Sequence, residues 1–152
     1  MTKKLRIACI VGARPNFMKI APILRAFEKH DCLDPALIHT GQHYDSNLSD
    51  IFFEELGIRR PDISLGIGSA SHGKQTAEIL IAIENVLVEA IESGAPFHRM
   101  IVVGDVNSTM AASIAAAKLL IPVAHVEAGL RSFDVTMPEE INRMLTDSIC
   151  DM

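Results

Sequence analysis

The amino-acid sequence predicts an α/β fold with a doubly wound parallel sheet. Short apolar runs of strand length alternate along the chain with segments whose apolar residues recur at helical spacing. A polar loop also follows directly after each main apolar run, as at the carboxyl edge of an open parallel sheet. Strands joined through helices run parallel, with right-handed crossovers, so helices are expected on both faces of the sheet.

Five strands are predicted from the apolar runs. The first covers residues 5–11 and ends before Gly12. The others are predicted at residues 36–38, 63–65, 100–103 and 121–126. Continuous apolar character is typical of strands buried on both faces, and Pro122 is tolerated because it lies at the start of its strand.

Helices are predicted between the strands. Apolar residues recur at helical spacing at positions 17, 20, 24 and 27, at 48, 51, 52 and 56, and at 79, 83, 86 and 90. An Ala-rich helix is predicted at residues 107–120, and a last helix begins at Pro138. Residues 66–73 are predicted to form one exposed loop.

Composition limits the class of protein. The chain has 152 residues, 49% of them hydrophobic, and a formal net charge of −5, so we expect a single domain over residues 1–152 that needs no metal or disulfide to fold. No apolar stretch reaches the about 18 residues of a membrane span. The basic residues are too scattered for a nucleic-acid surface, and the three cysteines form no Cys-x-x-Cys pair. A cytoplasmic protein without a membrane or nucleic-acid partner is therefore expected.

Four polar loops are predicted to share one edge of the sheet. They lie at residues 12–16, 41–45, 104–109 and 127–131. The first loop lacks the second and third glycines of a dinucleotide-binding fingerprint. It does place Arg14 at the mouth of a helix and Lys19 one turn further in. These cations are interpreted either as phosphate ligands or as solvated surface charges.

Three carboxylates are predicted at the same edge. Asp105, Glu127 and Glu139 follow strands or begin a helix, and paired carboxylates in a cleft suit the removal and return of protons. Alternatives remain for two of them: Asp105 could cap the helix that begins near Asn107, and Glu139 could form a capping box with Thr136. Glu127 follows an apolar strand directly, which favours a partly buried carboxylate.

Other chemistry has weaker support. Residues 68–75 resemble a phosphate-binding loop, but Gln75 replaces the hydroxyl that would bind magnesium. No spacing typical of metal ligands occurs, so no metal site is predicted. Among the histidines, His43 and His125 are the better candidates for a site, although a histidine inside a strand is more often a hydrogen-bonded core residue.

Five motifs follow one another along the chain. They are GARPNFMK at residues 12–19, TGQHY at 40–44, GDVNST at 104–109, HVEAGLRS at 125–132 and MPEEINR at 137–143. Together they closely resemble the amino-terminal half of bacterial UDP-N-acetylglucosamine 2-epimerases of the non-hydrolysing group. The motifs occur in the family's order and span almost the whole chain.

This resemblance implies a Rossmann-like domain, one half of a GT-B-like two-domain enzyme. Such an enzyme interconverts UDP-N-acetylglucosamine and UDP-N-acetylmannosamine without a cofactor, by elimination and re-addition of UDP, in cell-envelope polysaccharide biosynthesis. It implies catalytic roles for Asp105, Glu127 and Glu139. It also implies substrate-binding roles for a second set of residues: Arg14, Lys19, His43, Arg131 and Asn142.

The same resemblance implies a carboxyl-terminal UDP-binding domain that this chain lacks. The isolated chain is therefore expected to have little or no activity, and a homodimer is expected. Four alternatives stay open at this point: an epimerase of another UDP-sugar, a hydrolysing epimerase, a phosphate-loop nucleoside triphosphatase and a non-catalytic binding module.

Overall fold

The protein forms a five-stranded sheet flanked by helices. The computed structural model describes residues 4–41, 53–55, 57 and 59–152. The strands are β1 (Leu5–Val11), β2 (Leu33–His39), β3 (Ile63–Ser64), β4 (Arg99–Val103) and β5 (Val123–Val126). The helices are α1 (Arg14–Phe27), α2 (His72–Glu92), α3 (Asn107–Lys118) and α4 (Pro138–Ile149).

The predicted strands are confirmed, with shifted ends. β2 begins three residues before its apolar run, and β5 begins only at Val123. The backbone N–H of Ile121 donates to the carbonyl of Ala116 at the end of α3, and Pro122 has no N–H. Neither residue therefore has an N–H for a neighbouring strand, and β5 begins after them.

Two predicted helices and one predicted loop differ from the structure. The Ala-rich helix predicted at residues 107–120 ends at Lys118. The loop predicted at residues 66–73 is shorter, because α2 already begins at His72. Residues 53–55 are helical, while most of the helix predicted around positions 48–56 lies outside the described residues. No helix among the described residues has the length and apolar content to cross a membrane.

The sheet separates two apolar cores. Along β1, Ile7, Cys9 and Val11 face α1, whereas Ala8 and Ile10 face the side covered by α2 and α3. Helix α4 packs against α3 on that second side. Since both faces of each central strand are covered, the strands read as unbroken apolar runs rather than alternating ones.

The strand order places a crevice between β1 and β4. The order is β3-β2-β1-β4-β5, and every neighbouring pair is parallel. Along the chain, β2 and β3 are added on one side of β1, and β4 and β5 are then added on its other side. A doubly wound sheet binds its ligands where this order reverses, beyond the carboxyl ends of the two strands. The Rossmann-like fold class is thereby confirmed.

Gly12 allows α3 to approach the end of β1. A Cβ atom at Gly12 would lie 2.8 Å from Cβ of Ser108 and would overlap the Ser108 hydroxyl. That hydroxyl is buried and lies 2.8 Å from Oγ1 of Thr40, so it has little room to move.

Gly12→Ala is therefore expected to destabilise the domain by about 1–3 kcal/mol, as overpacking of a full core does. Urea denaturation of the chain measures this change. Gly73→Ala is the matched control, since a Cβ at Gly73 meets nothing within 4 Å and alanine suits its helix. Equal stability of the two variants would contradict the close approach at Gly12.

Candidate active site

Asn16 joins the carboxyl ends of β1 and β4. Its Oδ1 accepts hydrogen bonds from the backbone N–H groups of Gly12 (3.1 Å) and Ala13 (2.9 Å), and its Nδ2 donates to the carbonyl of Val103 at 2.9 Å. Asn16 is buried. These two N–H groups, which directly precede α1, are therefore bonded within the protein.

Glu127 and Lys19 form an ion pair over the end of β4. Lys19 Nζ donates to Oε2 of Glu127, which belongs to the turn after β5. A Cβ atom at Gly104 would lie 3.7 Å from Oε2 of Glu127 and 3.9 Å from Nζ of Lys19, so the pair sits against the loop that carries Asp105. Both side chains keep about a third of their surface exposed, at 35% and 36%, and remain accessible from the crevice.

The backbone of Glu127 has a left-handed conformation, with φ of 74°. Such a conformation costs a residue with a Cβ about 1–2 kcal/mol. The turn therefore holds this carboxylate at an energetic cost, which is typical of functional positions.

Asp105 pairs with Arg143 of α4. Nη2 of Arg143 lies 2.5 Å from Oδ2 of Asp105. The alternative that Asp105 caps α3 is wrong, because Val106 is the N-cap and no side chain bonds the cap there. Sequence reasoning placed Arg143 only within a motif and assigned it no partner.

The side chain of Glu139 makes no hydrogen bond or ion pair with any residue that the structure describes. The capping-box alternative is wrong: Met137 is the N-cap of α4, and Oγ1 of Thr136 donates to Oδ1 of Asp134 instead. The half-buried Glu139 carboxylate therefore has no structural task among the described residues. Its catalytic role stays a prediction.

Glu140 carries the structural role at this helix start. Its carboxylate is 1% exposed and accepts hydrogen bonds from the backbone N–H groups of Ser132 and Phe133 and from Nη1 of Arg143. The largest effect on the pKa of Glu140 comes from the Ser132 amide, which lowers it. Burial raises this pKa, but Arg143 and the Phe133 amide lower it further, so that it falls to about 2. Arg143 thereby bridges Glu140 and Asp105. The spacing of Glu140 and Arg143, three residues apart on a helix, was the available sequence signal.

The residues predicted to bind substrate occupy different environments. Arg14 is exposed at the start of α1. Arg131 donates from Nη1 to Oδ2 of Asp147 at 2.6 Å. Asn142 is buried, and its amide donates to the carbonyl of Asp105 and to Oδ1 of Asn107. His43 lies outside the described residues.

His125 is a hydrogen-bonded core residue, as its position inside a strand suggested. Its side chain is fully buried in β5. Nδ1 lies 2.5 Å from Oδ1 of Asp147, and Nε2 lies 2.7 Å from the carbonyl oxygen of Gly104. The ring therefore does not face the crevice as a ligand.

Other sites find no support in the described part of the chain. In the segment at residues 68–75, Lys74 pairs with Glu78 at 3.7 Å. The buried Gln75, which replaces the hydroxyl that would bind magnesium, donates to the carbonyl of Gly68. Burial raises the pKa of the Cys9 thiol to about 12, which makes it a poor nucleophile. No group of three potential metal ligands occurs among the described residues.

The chain is similar to known proteins along almost its whole length. A family model described as UDP-N-acetylglucosamine 2-epimerase matches residues 25–152. A UDP-2,3-diacetamido-2,3-dideoxy-D-glucuronate 2-epimerase of Pseudomonas aeruginosa is 47% identical over 97% of this chain and 40% of its own. A UDP-N-acetylglucosamine 2-epimerase of Methanocaldococcus jannaschii is 50% identical over 95% of this chain and 38% of its own.

Solved structures give the same result. A crystal structure of the Methanocaldococcus jannaschii UDP-GlcNAc 2-epimerase, in complex with UDP-GlcNAc and UDP, superimposes with a TM-score of 0.89 at 49% sequence identity. The match covers 96% of this chain and 39% of that one. The chain thus spans about 40% of the length of the curated relatives that it matches.

Proposed function

The chain belongs to the UDP-N-acetylglucosamine 2-epimerase family, and we propose that it forms the amino-terminal half of an enzyme that inverts carbon 2 of a UDP-N-acetylhexosamine. The observation that carries this proposal is that the Glu127 carboxylate lies against the loop that bears Asp105, at the β1–β4 crevice. Glu127 and the Asp105 loop meet there, and each carboxylate is held by its own cation. Two positioned carboxylates match a reaction that removes and returns a proton.

The proposed reaction proceeds by elimination and re-addition. One carboxylate takes the proton from carbon 2, the electron pair of that C–H bond forms the carbon 1–carbon 2 double bond, and the bond from carbon 1 to the UDP oxygen breaks. UDP leaves with that bond's electron pair, and the sugar becomes 2-acetamidoglucal. In the return step, the electron pair of the carbon 1–carbon 2 double bond takes a proton from a carboxyl group on the opposite face of carbon 2, and an electron pair of the UDP oxygen forms the new bond to carbon 1.

Lys19 and Arg143 share two roles in this proposal. Each donates a charge-assisted hydrogen bond that fixes the orientation of its carboxylate. They also add positive charge at an edge where a diphosphate develops negative charge as it leaves. Glu139, which is engaged by no described residue, is the proposed third carboxylate of the site.

We propose that the rest of the nucleotide site lies in a second domain. About a third of the surface of Asp105, Glu127 and Lys19 is exposed, so this half supplies one wall of a cleft. Without the opposite wall, water competes for every charged group. A homodimer and a cytoplasmic location stay predictions.

Proton exchange at carbon 2 tests the proposed function. The isolated chain and a longer version that carries the proposed second domain are incubated with UDP-N-acetylglucosamine in deuterated buffer, and NMR follows the carbon-2 signal. Exchange is expected in the longer protein only. Exchange in neither protein would contradict the proposal for this substrate, and exchange in the isolated chain would refute the need for a second wall.

The Pseudomonas relative suggests a second substrate for the same assay. That protein is named for UDP-2,3-diacetamido-2,3-dideoxy-D-glucuronate and is 47% identical to this chain. If exchange occurs with the diacetamido sugar alone, the proposed reaction stands and its substrate is the diacetamido sugar.

A further inference from the structure

A buried histidine–aspartate pair between β5 and α4 adjoins the candidate site. Nδ1 of His125 lies 2.5 Å from Oδ1 of Asp147, and Nε2 lies 2.7 Å from the carbonyl oxygen of Gly104. Both ring nitrogens are therefore engaged within the protein, one by α4 and the other by the loop after β4.

The second oxygen of Asp147 reaches the turn that carries Glu127. Oδ2 of Asp147 accepts hydrogen bonds from the backbone N–H of Gly129 at 2.9 Å and from Nη1 of Arg131 at 2.6 Å. Burial raises the pKa of this carboxyl, but the Gly129 amide, Arg131 and His125 together lower it below its usual value. Asp147 is therefore ionised and bonded through both oxygens.

The His125–Asp147 pair thus connects the two backbone segments that bear the carboxylates. Gly104 directly precedes Asp105, and Gly129 lies two residues after Glu127. Both segments have left-handed backbone at these points, with φ of 72° at Gly104 and 74° at Glu127. Such conformations persist where the surroundings hold them, and His125 with Asp147 supplies one hydrogen bond to each segment.

We propose that the buried His125–Asp147 pair positions Asp105 and Glu127, by tying the carbonyl of Gly104 and the amide of Gly129 to one rigid unit. This inference rests on the proposed function. His125 and Asp147 are positioning residues in this inference. The ring nitrogens of His125 and the carboxylate oxygens of Asp147 are all bonded to other groups of the protein, so none of them is left to contact a substrate in the crevice. Their removal displaces the carboxylates without deleting them.

Two histidine variants separate the two contacts in the longer protein. His125→Asn keeps a donor near Nδ1 for Asp147 and loses the contact to Gly104, whereas His125→Gln can keep the donor near Nε2. We expect kcat of His125→Asn to fall about 100-fold, as a displacement of about 1 Å can cost, with KM within about twofold. His125→Gln is expected to retain more activity than His125→Asn because Gly104 stays anchored.

Asp151→Ala is the matched control. Oδ2 of Asp151 bonds the backbone N–H of Val123 at 2.8 Å, so this residue also anchors β5 to the segment after α4, but at the far end of the strand. Its loss should lower the thermal midpoint and leave kcat unchanged. If His125→Asn behaves like this control, with lower stability and unchanged kcat, the pair is structural only and the proposal is overturned.

NMR on the 152-residue chain tests the positioning without activity. The carboxyl carbon signals of Asp105 and Glu127 should shift in His125→Asn and stay in place in Asp151→Ala. Signals that stay in place in His125→Asn would overturn the proposal. This readout does not need activity, so the absence of carbon-2 exchange in the longer protein would count against the proposed function alone.

Discussion

Glu127→Gln in the longer protein is expected to slow carbon-2 proton exchange by about 10²- to 10⁴-fold, the usual contribution of a positioned acid or base. Glutamine has nearly the shape of glutamate, and its Oε1 can still accept the hydrogen bond from Lys19. It cannot take up a proton at neutral pH. The rate is measured by NMR in deuterated buffer, together with the thermal midpoint.

A matched control removes the same charge elsewhere. Glu78 is another glutamate paired with a lysine, Lys74, on the exposed surface of α2. Glu78→Gln should leave the rate of carbon-2 exchange within about twofold of that of the unchanged protein. An exposed pair of this kind contributes under about 1 kcal/mol to stability, so its loss should not disturb the fold. A Glu127→Gln protein that exchanges at the rate of Glu78→Gln would refute the assignment of Glu127.

Glu140→Gln is expected to cause the largest loss of stability among the carboxylate variants. The Glu140 carboxylate accepts two backbone N–H groups and Arg143 in a site that is almost closed to water. Glutamine offers one acceptor oxygen and turns an NH₂ group toward donors, so buried N–H groups lose their partner. Thermal unfolding at pH 7 should shift down by several degrees.

The pH dependence of this loss has a definite sign. The folded-state pKa of Glu140 is lowered to about 2, from an ordinary value of 4.5. A carboxyl with a lowered folded pKa adds stability above its ordinary pKa, and that stability disappears as pH falls through the folded value. The difference in unfolding free energy between the unchanged chain and Glu140→Gln should therefore be full above about pH 4.5 and shrink toward pH 2.

The neighbouring residue supplies the comparison. Glu139 is engaged by no described residue, so Glu139→Gln should change stability only by its small effect at the helix start, about 0.3–1 kcal/mol. In the longer protein the same variant should reduce exchange, because Glu139 is the proposed third carboxylate. Equal destabilisation by the two substitutions at all pH values would contradict the described roles of this pair.

The order of the strands and helices was readable from hydrophobic pattern. Buried parallel strands require continuous apolar runs, and helices on both faces require apolar residues at helical spacing, so β1, β4 and α3 appear in the sequence almost at their true bounds. The start of β5 differs from the prediction because Pro122 has no N–H to donate to a neighbouring strand. The convergence of the loops followed from the rule that ligands bind at the carboxyl edge of such a sheet.

The sequence could not show which polar side chains belong to the interior. Glu139 and Glu140 are adjacent and chemically identical, and only the turn of α4 directs Glu140 inward to two backbone amides. Asp147 lies outside the five motifs, and Asn16 lies within one of them that indicates no partner for it. Their roles depend on partners that are distant along the chain, such as Val103 for Asn16 at 87 residues and Gly129 for Asp147 at 18.

The sequence by itself determined the α/β architecture, the edge at which the polar loops meet and the family resemblance, because each depends on local pattern or on residues close together in the chain. Only the tertiary structure decided the pairing of Lys19 with Glu127, of Arg143 with Asp105 and of His125 with Asp147. A hydrogen bond is set by distances of a few tenths of an ångström between groups from different elements. Those distances exist only once the two sides of the sheet have packed.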